Sequence, residues 1–282
     1  MLPIFKVAIS GTLLLVFLAG PAMAGEDAIP LQTGAMLIGL VGGLALFLYG
    51  MDHLASALKT LAGARLRRIL SNMTRNRIWA ALSGAVITGL VQSSSVTTVL
   101  VVGFVSAGLM PFAQAIAVIM GANMGSTLTA QIIAFRIEAI APLFIAIGFA
   151  MTMLADRKRF TLIGKAVLGL GLLFFGMGMM SQAMEPLRSF QPFISLMGEM
   201  SNPFMAILVA AAFTALVQSS AATMGIVIVL AGQGLVSLEG GIALIFGANI
   251  GTCVTALLGA IGKNRDGVRT AVGHILFNVI GV

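Results

Sequence analysis

Residues 88–97 read TGLVQSSSVT and residues 214–223 read TALVQSSAAT. The copies stand 126 residues apart, and the same offset carries GANMGST at 121–127 onto GANIGTC at 247–253 and LFLYGM at 46–51 onto LLFFGM at 172–177. About 19 of the 43 positions from Thr88 to Ala130 are identical to their counterparts, so the chain holds a duplicated unit with no insertion between its motifs. Each copy is a polar knot inside an apolar run. Gln, Ser, Thr and Asn groups at membrane depth are costly unless they find partners or a ligand. Two knots at matching places in two halves point to a transporter binding site.

The composition agrees. The 282 residues are 59% apolar and 9% charged, against roughly 25% charged in a soluble domain. Apolar runs of about 20 residues recur from end to end, which makes this an all-α polytopic membrane protein. The formal charge of +7 is concentrated in short loops, where it orients a membrane protein rather than binding nucleic acid. The single cysteine, Cys253, lies in an apolar run and reads as a packing residue. Residues 1–24 have the form of a signal peptide: Lys6, an apolar run, then Ala22-Met23-Ala24; an uncleaved first helix is the other reading. The closing segment 271–282 is too short to cross, so the protein is expected to continue into a further C-terminal part.

Charge then sets topology. Lys59, Arg65, Arg67, Arg68, Arg75 and Arg77 follow the first helix, Gly34 to Leu58, and mark the cytoplasmic side. The next apolar stretch, 78–109, is too long for one crossing and too short for two, with the knot near its middle. A re-entrant helical hairpin fits it. Segments 113–135 and 139–154 then bring Arg157, Lys158 and Arg159 back to the cytoplasm. The second half begins near Gly164, and its loop 183–204 carries only Glu185, Arg188 and Glu199 where the first half has six cations. Homologous loops of opposite character lie on opposite sides. The expected architecture is two inverted-topology repeats, 34–155 and 161–282, each with a hairpin carrying a QSS motif.

The knots supply Gln92, Ser93, Ser94, Ser95 and Thr97, and Gln218, Ser219, Ser220 and Thr223. Their amides and hydroxyls donate to an oxyanion and present oxygen to a small hard cation. Helices broken there expose N–H groups at half-helix N-termini, a ready anion site. Neither knot contains a charged side chain, so a bound anion needs help from co-bound cations. Asn123 and Asn249, with Thr127 and Thr252 beside them, sit in glycine-flanked motifs that either unwind the helix or admit close packing, and they read as supporting residues.

GLVQSSSVTT with AVIMGANMGSTLT, and ALVQSSAAT with FGANIGTCVTALL, resemble the type II sodium-dependent phosphate cotransporter family, from about residue 35 to the end. The resemblance implies a multi-pass carrier of the cytoplasmic (inner) membrane that moves inorganic phosphate with Na+ by alternating access. It implies that Gln92, Ser93, Ser94, Ser95, Gln218, Ser219 and Ser220 hold phosphate and Na+. It implies no cofactor beyond Na+ as coupling ion, and no enzyme activity. Ala221 stands where the family's second motif often keeps a third serine. The alternatives are a sodium-independent anion channel or a phosphate exporter of the same fold. An intramembrane serine hydrolase, built from Ser93–Ser95 with His53 or His274, fits poorly, because one active site does not require the motif twice.

Overall fold

A computed structural model describes residues 33–72, 76–135, 137–191, 193–195 and 202–282, with backbone alone described over 64–72. The signal-peptide reading of 1–24 falls outside these residues, as does Arg75. Ten α-helices account for most of the described chain: α1 Thr33–Asn72, α2 Arg77–Val91, α3 Ser94–Ser106, α4 Phe112–Ala134, α5 Ala141–Leu154, α6 Lys158–Met184, α7 Pro203–Val217, α8 Ser220–Gly232, α9 Leu238–Ala260 and α10 Arg265–Gly281. Helix α1 is kinked at Gly63, where φ is 43°.

Among the described residues, four stretches are long and apolar enough to cross a membrane: Gly34–Gly63, Phe112–Ala134, Lys158–Arg188 and Leu238–Ala260. The expected segments are present, most within a residue or two; α1 runs past the expected end at Leu58 to its kink at Gly63 and on to Asn72, the first hairpin stretch ends at Ser106 rather than 109, and α6 starts at Lys158 rather than near Gly164. The Arg157 carbonyl accepts from the N–H groups of Phe160 and Thr161, which winds the cationic loop into the first helical turn. The bounds of α2, α3 and α4 recur in α7, α8 and α9 at the 126-residue offset of the sequence motifs. A 15-residue helix such as α2 is only about 22 Å long, so neither α2 nor α3 spans about 30 Å of hydrocarbon by itself.

Glycine sets how closely these helices meet. A Cβ on Gly43 would stand 2.7 Å from the Gly176 carbonyl oxygen, and one on Gly50 would stand 2.5 Å from that of Gly169. As residue numbers rise on α1 they fall on α6, so these two helices run antiparallel. Gly43 and Gly50 are the sequence counterparts of Gly169 and Gly176, so the contact maps onto itself when the halves are exchanged. In each half a second contact follows a different rule. Gly121 lies on Ala81 and Gly125 on Ala85, while Gly247 lies on Ile207 and Gly251 on Ala211. The numbers rise together, so α2 and α4 run parallel, as do α7 and α9. The chain must therefore turn back along α3 and along α8.

Phe47, Met51, Leu173, Phe174, Met177, Met180 and Met184 fill the space between the halves, joined by Val229 of α8. Outward faces carry Phe204, Leu208, Leu154 and Ile38, each more than half exposed, as suits side chains facing lipid.

These contacts make a direct prediction. Gly121→Ala forces a Cβ into the Ala81 carbonyl and should destabilise the fold by about 1–3 kcal/mol. Gly103→Ala, with nothing within 4 Å of the added carbon, should be neutral or slightly stabilising. Thermal unfolding of the two purified variants checks the contrast.

Candidate functional site

Both knots break the helix in the same way. Gln92 ends α2 at φ 57°, ψ 28°, and Gln218 ends α7 at φ 56°, ψ 28°. They are the two non-glycine residues with positive φ among those described. Ser93 and Ser219 follow in extended backbone and cap α3 and α8, their Oγ atoms accepting from Val96 and Ala222 N–H at 3.3 and 3.2 Å. The left-handed residue turns the chain and the serine restarts it, so two residues separate antiparallel half-helices.

A threonine pair ties each break shut. Thr88 Oγ1 donates to Thr97 Oγ1 at 2.9 Å, and Thr97 Oγ1 donates to the Ser93 carbonyl at 3.2 Å. Thr214 and Thr223 share a 2.6 Å hydrogen bond, and Thr223 donates to the Ser219 carbonyl at 3.3 Å. All four threonines are buried. Thr97 and Thr223, expected among the binding residues, therefore spend their hydroxyls inside the break. Ser94 is buried at the start of α3, and Ser95 and Ser220 are half-buried in the first turns.

The breaks meet at one place. A cavity of about 460 Å³ is lined by Gln92 and Ser93 from the first knot and by Gln218, Ser219 and Ala221 from the second. The α3 and α8 N-termini thus start at this cavity, and helix geometry leaves their first N–H groups without intrahelical partners. Ala221 lines the wall, whereas its first-half counterpart Ser95 does not, nor do Ser94 and Ser220. The third wall is a surprise to the sequence reading: Asp52, Ser56 and Lys59 of α1 line the same space. The knots themselves lack charge, as read, but their cavity does not. An ionisable residue inside the apolar span Gly34–Gly63 is the sequence signal for this wall. His53 turns away: its Nδ1 lies 3.2 Å from the Tyr49 carbonyl and its ring packs against that of Tyr49 at a tilt of 46°.

The halves differ in how each glutamine is held. Gln92 Oε1 accepts from Thr129 Oγ1 at 2.8 Å, and its Nε2 donates to the Gly89 carbonyl. Thr129 was not singled out from sequence, since nothing local connects it to a residue 37 positions earlier. The matching Thr255 Oγ1 is shut off from solvent without a partner, and the Gln218 side chain has no bond among the described residues.

The expected supporting residues are scattered. Asn123 Nδ2 donates to Asn278 Oδ1 at 2.7 Å, joining α4 to α10. Asn249 is half-buried in α9. Thr127 and Thr252 return their hydroxyls to the Met124 and Ala248 carbonyls of their own helices. None of the four lines the cavity, and α4 and α9 stay helical through their GAN motifs. There the glycines serve close approach to α2 and α7, not unwinding.

The model of the Na+/Pi-cotransporter family matches residues 46–182 and 189–280. The "Uncharacterized protein YqeW" of Bacillus subtilis (strain 168) is 32% identical over 248 residues, 88% of this chain and 80% of that protein. The "Putative inorganic phosphate export protein YjbB" of Escherichia coli (strain K12) is 31% identical over 249 residues, 87% of this chain. This chain spans 45% of that protein's length. The "Sodium-dependent phosphate transport protein 2B" of Homo sapiens is 39% identical over 100 residues, 35% of this chain and 14% of that protein. No solved structure matches.

The left-handed breaks carry a testable strain. A side chain in this conformation costs about 1–2 kcal/mol that glycine avoids, so Gln92→Gly should be more stable than Gln92→Ala by about that amount. At Gln233, where φ is −83°, glycine should show no such advantage over alanine. Thermal unfolding of the four variants gives the comparison.

Proposed function

The chain belongs to the Na+/Pi-cotransporter family, and from that premise we propose that it carries inorganic phosphate across the cytoplasmic membrane with net movement outward. The family is one of transporters rather than enzymes, and the apolar helices make the chain a multi-pass membrane protein. The observation that carries the proposal is the shared cavity. Gln92 and Ser93 from one half and Gln218 and Ser219 from the other face the same space, beside two half-helix N-termini. Amide and hydroxyl donors with positive helix ends suit a tetrahedral oxyanion. Outward movement is favoured because the relatives named for phosphate export align over 87% of this chain. Those named sodium-dependent align over 35% or less.

Na+ coupling is the second reading, supported by the family and by oxygen ligands in the cavity. Binding energy of a cation beside the anion offsets the burial of charge, and linkage makes the effect reciprocal. A coupled carrier runs in either direction, as the combined gradients dictate. In this scheme the repeats 34–155 and 161–282 have inverted topology, and each break is a re-entrant hairpin. The antiparallel α1–α6 contact and the parallel α2–α4 and α7–α9 pairs support both statements. Alternating access then follows by exchange: Gln92 is latched to Thr129 while Gln218 is free, and the opposite state closes Gln218 on Thr255. On this reading Ser94, Ser95 and Ser220 support the phosphate and Na+ site from the first turns of α3 and α8, with Asn123 holding α10 in place.

Two experiments test these statements. Proteoliposomes loaded with labelled phosphate should lose it at least about tenfold faster than empty liposomes. Gln92→Ala and Gln218→Ala should each remove most of that flux, since a lost hydrogen bond to a charged ligand costs about 1.5–3 kcal/mol. Wild-type flux no faster than that of empty liposomes would refute phosphate transport, and flux indifferent to replacing Na+ by choline would leave export without Na+ coupling. For the topology, a cysteine placed at Arg68 should be labelled from the cytoplasm alone and one at Ser195 from outside alone. Labelling of both from one side rejects the inverted arrangement.

A further inference from the structure

The charged wall of the cavity is not accounted for by the duplicated motifs. Asp52, Ser56 and Lys59 are spaced i, i+4 and i+7, so one face of α1 presents all three to the space between the knots. Asp52 lies ~27 Å from one end of the apolar span Gly34–Gly63 and ~16 Å from the other. A carboxylate at that depth is costly and belongs to a water-filled cavity, a partner or an ion. It has no ion pair or side-chain hydrogen bond among the described residues. Packing does not require it either. Its counterpart on α6 is Gly178, and the counterparts of Ser56 and Lys59 are Gln182 and Glu185. The α1–α6 contact is shared by both halves; the charged stripe is not.

The chemistry around Asp52 is oxygen-rich. Ser56, Gln92, Ser93, Gln218 and Ser219, each with a side-chain oxygen, line the same cavity, a donor set suited to a hard monovalent cation. We propose that Asp52 supplies the anionic ligand for Na+ in this cavity, with amide and hydroxyl oxygens of the two breaks completing the shell. Lys59, about 10 Å further along α1 toward the cation-rich connection, leaves this wall with no net formal charge. The cation then sits between the carboxylate and the anion bound at the helix N-termini, which gives the coupling a specific origin. This inference rests on the phosphate-carrier reading and assigns its coupling residue.

The test uses the purified full chain, with direct binding of labelled Na+ and phosphate titrations in Na+ or choline at fixed ionic strength. Asp52→Asn should weaken Na+ binding at least about tenfold and abolish the effect of Na+ on phosphate affinity, while Asp52→Glu, which keeps the charge, should recover much of both. If Asp52→Asn does not purify as a monodisperse protein, Asp52→Ser supplies the same comparison. Unchanged Na+ affinity in the neutral variant, or a wild-type protein that binds phosphate but no Na+, overturns the assignment and leaves the phosphate-carrier reading intact. Wild-type protein that binds Na+ through Asp52 but no phosphate overturns the carrier reading instead.

Discussion

A helix broken inside an apolar slab frees backbone groups that no lipid can satisfy, and most of this structure answers that constraint. The answer is local and nearly identical in both halves. Gln92 and Gln218 take the left-handed turn, Ser93 and Ser219 cap the restarted helices, and the Thr88–Thr97 and Thr214–Thr223 pairs bridge the two arms. Each hydrogen bond contributes only about 0.5–1.5 kcal/mol net, but leaving one group orphaned costs about 1–3 kcal/mol. The threonines are thus fixed by what their loss would expose. This frees the glutamines and capping serines to face the cavity.

Glycine packing makes that economy workable. Half-helices of 15 and 13 residues cannot anchor themselves across the bilayer, so they depend on full-length neighbours. Gly121 and Gly125 bring α4 against α2, and Gly247 and Gly251 bring α9 against α7. Gly125 and Gly251 reach the same threonines that close the breaks, since Cβ atoms there would meet Thr88 and Thr214 side chains at 2.9 and 2.7 Å. The GAN motifs and the polar knots are therefore one assembly, which explains why they were duplicated together.

The duplication, the apolar segments and the location of the breaks were legible in the sequence because each is a local or periodic signal. Segment 113–135 is observed as Phe112–Ala134, and 240–262 as Leu238–Ala260. The left-handed turn was not legible, because sequence rules place glycine there and both copies carry glutamine instead. Asp52 and Lys59 escaped because helix periodicity defines a face but not what that face meets. The knots they border lie 40 and 166 residues beyond Asp52. The latch on Gln92 by Thr129 was hidden for the same reason. The GAN motifs allowed unwinding or close approach, and only the carbonyls of Ala81 and Ala85 against their glycines decide between them.

The contact between α1 and α6 has an evolutionary corollary. Gly43 meets Gly176 and Gly50 meets Gly169, a surface complementary to its own duplicate in the opposite direction. A half-length ancestor bearing that surface needed no second gene. Two copies of one short polypeptide bearing it have the means to pair antiparallel through that contact. The Asp52 and Gly178 pair of positions marks where the two copies within this chain differ in charge.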